Sequence, residues 1–260
     1  MTGVGVFPVR AELPARTGRE AEVWARLDGV VDPELDETVT ALNFVTRAEV
    51  DADGRVHVEF RLPTYWCAAN FAFLMADDMR VAVGALPWVR GVSVRLGEHM
   101  YADTINEGLE HGRSFQETFG AEADGDLDAL RRTFLLKAFQ RRQKALLDAL
   151  IEMGLTPAAI VALRVADLTG LPFDGPARAL AARYLERRDV IGPVAEDGPA
   201  FLDVDGVPLD PVTLPTYLRG LRRVGINAEF NSALCKGLLS ARFDTETPFV
   251  RRSRTAQTIA

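Results

Sequence analysis

Cysteine is almost absent: Cys67 and Cys235 are the two present in 260 residues. A disulfide framework and a structural zinc site built on several cysteine ligands both need more, so neither is supported, and any thiol chemistry is sparse and reduced. No apolar run approaches the ~20 residues that a membrane span needs, and no charged lead followed by an apolar stretch marks the N-terminus. A cytoplasmic protein with no membrane partner is expected. Basic charge is also short, with 30 Lys and Arg against 37 Asp and Glu and a net charge of -7. That balance argues against nucleic acid as a partner, although Arg251-Arg252-Ser-Arg254 is locally basic. The three histidines form no i, i+4 pair of metal-ligand type, and no repeats or low-complexity runs occur.

What remains is an ordinary globular composition, 48% hydrophobic and 26% charged. Residues 1–16, with Pro8 and Pro14, read as a flexible arm ending at Thr17-Gly-Arg-Glu20, a capping box that starts a first helix. Val23, Trp24, Leu27 and Val30 form its apolar stripe, and Asp32-Pro33-Glu34 ends it, because proline disfavours helical geometry in the preceding residue. The period then changes to two. Val56, Val58, Phe60 and Leu62 alternate with Arg55, His57, Glu59 and Arg61, and Asp51-Ala-Asp-Gly54 turns this strand back on one around residues 44–50. A helix follows Cys67, with Phe71, Leu74, Met75 and Met79 on one face and Gly84 at its end, and Val92, Val94 and Leu96 mark a third strand.

These elements predict an α+β fold: a small mixed sheet with helices on one face over residues 17–112, then a linker at 113–125, a mainly helical part at 126–250 and a tail at 251–260. In the helical part, Leu127 to Leu150 carries one long stripe, Thr156-Pro157 is a cap followed by proline at the first helical position, and further helices are expected near 176–188, 213–224 and 232–241. Residues 201–209, with Asp205-Gly206, read as a tight reversal.

The segment Arg61-Leu-Pro-Thr-Tyr-Trp-Cys67-Ala-Ala-Asn70 carries the chemistry. A strand runs out into a cysteine that opens a helix, where unpaired backbone N–H groups and the helix dipole favour the thiolate. Cys67 is therefore the candidate reactive or metal-binding residue. Thr64 is placed to hydrogen-bond its sulfur or simply to end the strand, and Asp32 and Glu34 offer oxygen ligands if their loop lies beside it, or else form an exposed turn. Tyr65 and Trp66 read as packing under the loop ahead of the alternative, an exposed aromatic recognition patch, Cys235 as a core residue among leucines, and Arg131-Arg132 with Arg141-Arg142-Gln-Lys144 as a solvated helix face.

The Asp32-Pro33-Glu34 loop, the alternating strand ending in threonine, the cysteine ahead of helix two and the closing Val-x-Val strand resemble the iron-sulfur cluster assembly domain family that includes SufT and PaaD. Pro63-Thr64-Tyr65 resembles the PaaD-like sequence before its cysteine in particular. Trp66 and Ala68 stand where the family has a spacer and a proline. Cys235 alone stands where PaaD-like proteins carry several C-terminal cysteines. The resemblance implies an iron-sulfur or metal-centre maturation factor acting through Cys67, with Asp32, Glu34 and Thr64 as further contacts. It implies transient iron or cluster binding and no stable cofactor. Its partners would be assembly proteins and a client metalloenzyme, a multicomponent diiron oxygenase subunit being the narrower expectation, and a homodimer is left open. A metal-free adaptor or chaperone-like protein that grips an oxygenase subunit is the alternative. A thiol enzyme ranks last, because no histidine has a context that places a base beside Cys67.

Overall fold

The computed structural model describes residues 18–122, 126–170 and 176–243. The expected N-terminal arm, the Thr17 cap, part of the linker and the tail at 251–260 lie outside these residues. Helix α1 (Gly18–Leu27) is followed by β1 (Val45–Val50), β2 (Arg55–Phe60), α2 (Ala69–Gly84) and β3 (Gly91–Leu96). The sheet is mixed and ordered β1-β2-β3, with the first pair antiparallel and the second parallel. The antiparallel pair needs only the Asp51–Gly54 turn, whose Gly54 has a φ of 81°; the parallel pair needs a crossover, which α2 supplies. Alternation in β2 sends Val56, Val58 and Phe60 inward and leaves Arg55, His57 and Glu59 exposed, so helices cover one face and water the other.

The core beneath the sheet gathers Leu27, Leu42, Phe44, Phe60, Met75, Met79 and Leu96. Two further helices close it: α3 (Ala102–Glu110) and α4 (Phe115–Phe119), the latter opened by a Ser114–Glu117 capping box. The sequence at 113–125 reads as a linker, yet Phe115 is buried in this core and meets Phe73 edge-to-face with ring centroids 5.6 Å apart. One buried aromatic outweighs the local polar composition around it.

The helical remainder comprises α5 (Leu127–Glu152), α6 (Pro157–Ala162), α7 (Val165–Gly170), α8 (Pro176–Arg188) and α9 (Leu214–Phe243). Thr156 caps α6 with Pro157 at its first position, as its sequence requires. A second core forms around Phe139, Leu146, Leu147, Leu150, Tyr184 and Phe201, where Tyr184 lies between the rings of Phe139 and Phe201 at 5.7 and 5.5 Å. Two helices are expected over 213–241, but α9 is continuous. Gly225 costs a helix interior only about 1 kcal/mol relative to alanine, and packing at both ends offsets it: Leu214 is buried in the second core and Leu239 in the first. Helix α9 therefore spans both cores.

Helix α5 is not the solvated face its charges suggest. Arg142 and Gln143 are buried. Arg142 donates to both carboxylate oxygens of Asp36 at 2.5 and 3.0 Å and to Glu186 at 2.7 Å, while Arg187 donates to Asp36 at 3.0 Å. Gln143 donates to the Leu202 carbonyl at 2.7 Å and accepts from the Tyr217 hydroxyl at 2.6 Å. A charge on a helix sandwiched between two cores must be neutralised, and Asp36, from the loop after Asp32-Pro33-Glu34, does this across the boundary between the two parts. Arg131 repeats the arrangement at the surface, donating to both oxygens of Asp78 on α2 at 2.7 and 2.8 Å.

Candidate functional site

Strand β2 delivers the chain to Leu62, and a turn follows in which the Cys67 N–H reaches the Thr64 carbonyl at 3.5 Å. Ala68 stays extended, with φ -60° and ψ 126°, so the first helical residue is Ala69. Cys67 thus lies just ahead of α2 and not on its first turn, because the turn residues between strand and helix must first reverse the chain. The half-buried thiol is hydrogen-bonded to Thr64, with Sγ and Oγ1 3.0 Å apart. Tyr65 and Trp66, expected to pack under the loop, are 51% and 72% exposed. The tight turn points them outward, and Met100 beside them is exposed as well.

His99 is a residue that sequence reasoning passed over. It is buried, its Nε2 donates to the Cys67 carbonyl at 2.7 Å, and its Nδ1 accepts from the Tyr101 N–H at 3.2 Å. Those two bonds select the neutral tautomer with the proton on Nε2, and burial lowers the histidine's pKa in agreement, with the bond to the Cys67 carbonyl pulling weakly the other way. The Met100 N–H donates to the Tyr65 carbonyl at 2.9 Å, so the loop after β3 clamps the cysteine turn at two points. Both ring nitrogens are committed to backbone groups; His99 holds the loop and does not face the sulfur as a base. The one signal in the sequence was a histidine three residues beyond a half-buried strand.

Asp32 and Glu34 belong to a loop pinned by the Val31–Thr38 bridge. Asp32 is 7% exposed, and its Oδ1 accepts the N–H groups of Glu34 and Leu35 at 2.9 and 2.8 Å. Desolvation pushes its pKa up to about 6 against the lowering effect of those two bonds. Arg141 on α5 donates to the Glu34 carbonyl at 3.1 Å. Burial raises the Cys235 thiol to about 11, and the charges of Cys67, Asp32 and Glu34 add to the rise. That influence runs from Cys67, Asp32 and Glu34 to Cys235. They do not form a ready cage: among the described residues no group of three His, Cys, Asp or Glu side chains is arranged to hold a metal ion.

The fold carries a turn-borne thiol and an acidic loop on a small mixed sheet, and the sequence matches the model of the iron-sulfur cluster assembly protein family over residues 20–95. It is also 30% identical over 74 residues to the Fe-S protein maturation auxiliary factor YitW of Bacillus subtilis, an overlap covering 28% of this chain and 71% of that protein. The chain belongs to the iron-sulfur cluster assembly protein family. The matched region ends at β3, so α3 to α9, with His99 and Cys235, lie beyond it. No described helix is long and apolar enough to cross a membrane.

Proposed function

We propose that this protein is a maturation factor that receives iron or an iron-sulfur cluster as cargo and passes it to a client metalloenzyme through Cys67. The observation that carries this reading is the presentation of Cys67 itself. The thiol is half-buried and bonded to Thr64, its backbone carbonyl is held by His99, and exposed Tyr65, Trp66 and Met100 flank it. Large exposed aromatics are suited to a polypeptide partner, since they anchor interfaces at low entropic cost. A four-thiolate shell cannot be completed by one chain with two cysteines. The cargo would therefore keep ligands from its donor or gain them from the client, and transfer would follow from incomplete coordination. Thr64 would stabilise the free sulfur between transfers, and Asp32 and Glu34 would offer oxygen ligands or repel anionic competitors.

The narrower reading, a client within a multicomponent diiron oxygenase, rests on the likeness of Pro63-Thr64-Tyr65 to PaaD-like proteins. A cytoplasmic setting suits a thiol that must stay reduced. A second reading, a metal-free adaptor, is favoured by the lack of a three-donor group among the described residues. Affinity capture from native cell extract separates the two. If assembly proteins or metalloenzyme subunits are recovered with wild type and lost with Cys67→Ala, transfer through the thiol stands; equal recovery with both overturns it in favour of the adaptor.

A further inference from the structure

We propose that His99 is the positioning residue of Cys67, and that residues 97–101, which carry it, form a strap through which the chain beyond the family-matched region sets how the thiol is presented. The inference deepens the reading given above and rests on it only for what the thiol is used for.

The backbone at Cys67 leaves one group to be held. Because Ala68 is extended, α2 begins with the bond from the Ala72 N–H to the Ala68 carbonyl at 3.1 Å. A helix started one residue earlier would pair the Cys67 carbonyl with the Phe71 N–H, but that N–H donates to Asn70 Oδ1 at 2.9 Å. The Cys67 carbonyl therefore needs a donor from elsewhere, and His99 Nε2 supplies it at 2.7 Å from 32 residues away.

The strap that brings His99 there is anchored at both ends. The Gly97 N–H donates to the Phe60 carbonyl at the end of β2, and the Ile105 N–H to the Tyr101 carbonyl where α3 begins, each at 2.9 Å. The Tyr101 ring packs edge-on against Phe119 of α4 with centroids 5.5 Å apart. Between these anchors Glu98 has a φ of 48°, in the left-handed region that residues with a Cβ rarely adopt. The turn leaves Glu98 exposed and His99 buried. Such a conformation persists where its surroundings over-determine it, as the anchors on either side do here. The Glu98 side chain pairs with Arg242 at 3.2 Å but is 60% exposed, so the backbone turn matters more than the ion pair.

Every anchor after Phe60 lies beyond residue 95, where the family match ends, while Cys67 lies within it. His99 acts on the peptide and not on the sulfur, since both ring nitrogens are committed to backbone groups. An amide donor of similar reach should replace it.

The test alkylates the full-length reduced chain with iodoacetamide and reads Cys67 and Cys235 separately by peptide mass spectrometry, Cys235 serving as the control within each sample. Alkylation of a half-buried thiol follows the population of the open loop. His99→Ala should speed reaction at Cys67 by about fivefold or more, the effect of one lost hydrogen bond to a committed carbonyl, and leave Cys235 unchanged. His99→Gln should return Cys67 to the wild-type rate. Glu98→Val, which sets a β-branched residue in the left-handed turn, should also speed Cys67, whereas Glu98→Gly should not; this surface pair decides the matter if His99→Ala does not fold. An unchanged Cys67 rate in His99→Ala, no rescue by glutamine, equal rates in the two Glu98 variants, or a rise shared by Cys235 overturns the proposal. If the strap variants leave Cys67 unchanged while Cys67→Ala still abolishes client capture, the strap fails and the maturation reading survives. If they speed Cys67 as expected but capture ignores Cys67→Ala, the strap stands and the maturation reading fails.

Discussion

Replacing Asp32 with asparagine is expected to stabilise the protein. Burial lifts this carboxyl from 3.8 to about 6. The native state therefore binds its proton more tightly than the unfolded chain does, the reverse of the usual salt-bridged aspartate. The favourable contribution of the protonated form is complete below about pH 4 and is lost as pH rises through about 6. A rise of roughly two pH units at ~1.36 kcal/mol each sets the penalty at neutral pH at about 3 kcal/mol. The amide oxygen of Asp32→Asn can still accept the Glu34 and Leu35 N–H groups, while the charge is gone. Urea unfolding should then show the two proteins alike at pH 4 and the variant more stable at pH 7 by up to about 3 kcal/mol, with the wild-type slope between them missing. A variant less stable than wild type at pH 7 would refute the reasoning, because the ionised carboxylate would then be making a favourable contact that outweighs its desolvation. If Asp32 serves metal handling, the stabilised variant should also transfer cargo less well, the trade expected of a charged group kept in a buried loop.

Arg142→Met leaves Asp36 buried with Arg187 as its remaining partner and should cost about 3 kcal/mol, measured as a fall in the urea midpoint. Trp66→Ala, at a side chain 72% exposed, should leave stability within about 0.5 kcal/mol while weakening client capture; unchanged capture removes the aromatic rim from the interface. Gly108→Ala would set its Cβ 2.3 Å from the Thr118 Oγ1 and 3.0 Å from the Thr118 Cβ, so α3 and α4 must separate, at about 1 to 3 kcal/mol in thermal or urea unfolding.

The sheet was legible because its signals are local. Alternation in residues 55–60 and an Asp-Gly turn specify a hairpin wherever they occur. Side-chain environment was less legible where it depends on a distant partner. Arg142 reads as a surface charge until Asp36, 106 residues away, is folded against it. Tyr65 and Trp66 read as core residues by composition, yet a turn set by Thr64 and Cys67 directs them outward. Continuity of α9 depends on two cores holding its two ends, which no window of sequence contains. His99 clamps Cys67 from the loop after β3, a relation that spacing along the chain does not reveal.

In cells that lack this protein, the cluster content of reporter iron-sulfur proteins should be restored by wild type and not by Cys67→Ala expressed to the same level, with both variants folded by circular dichroism. Full restoration by Cys67→Ala would contradict maturation through this thiol and leave the exposed aromatic rim as the working surface.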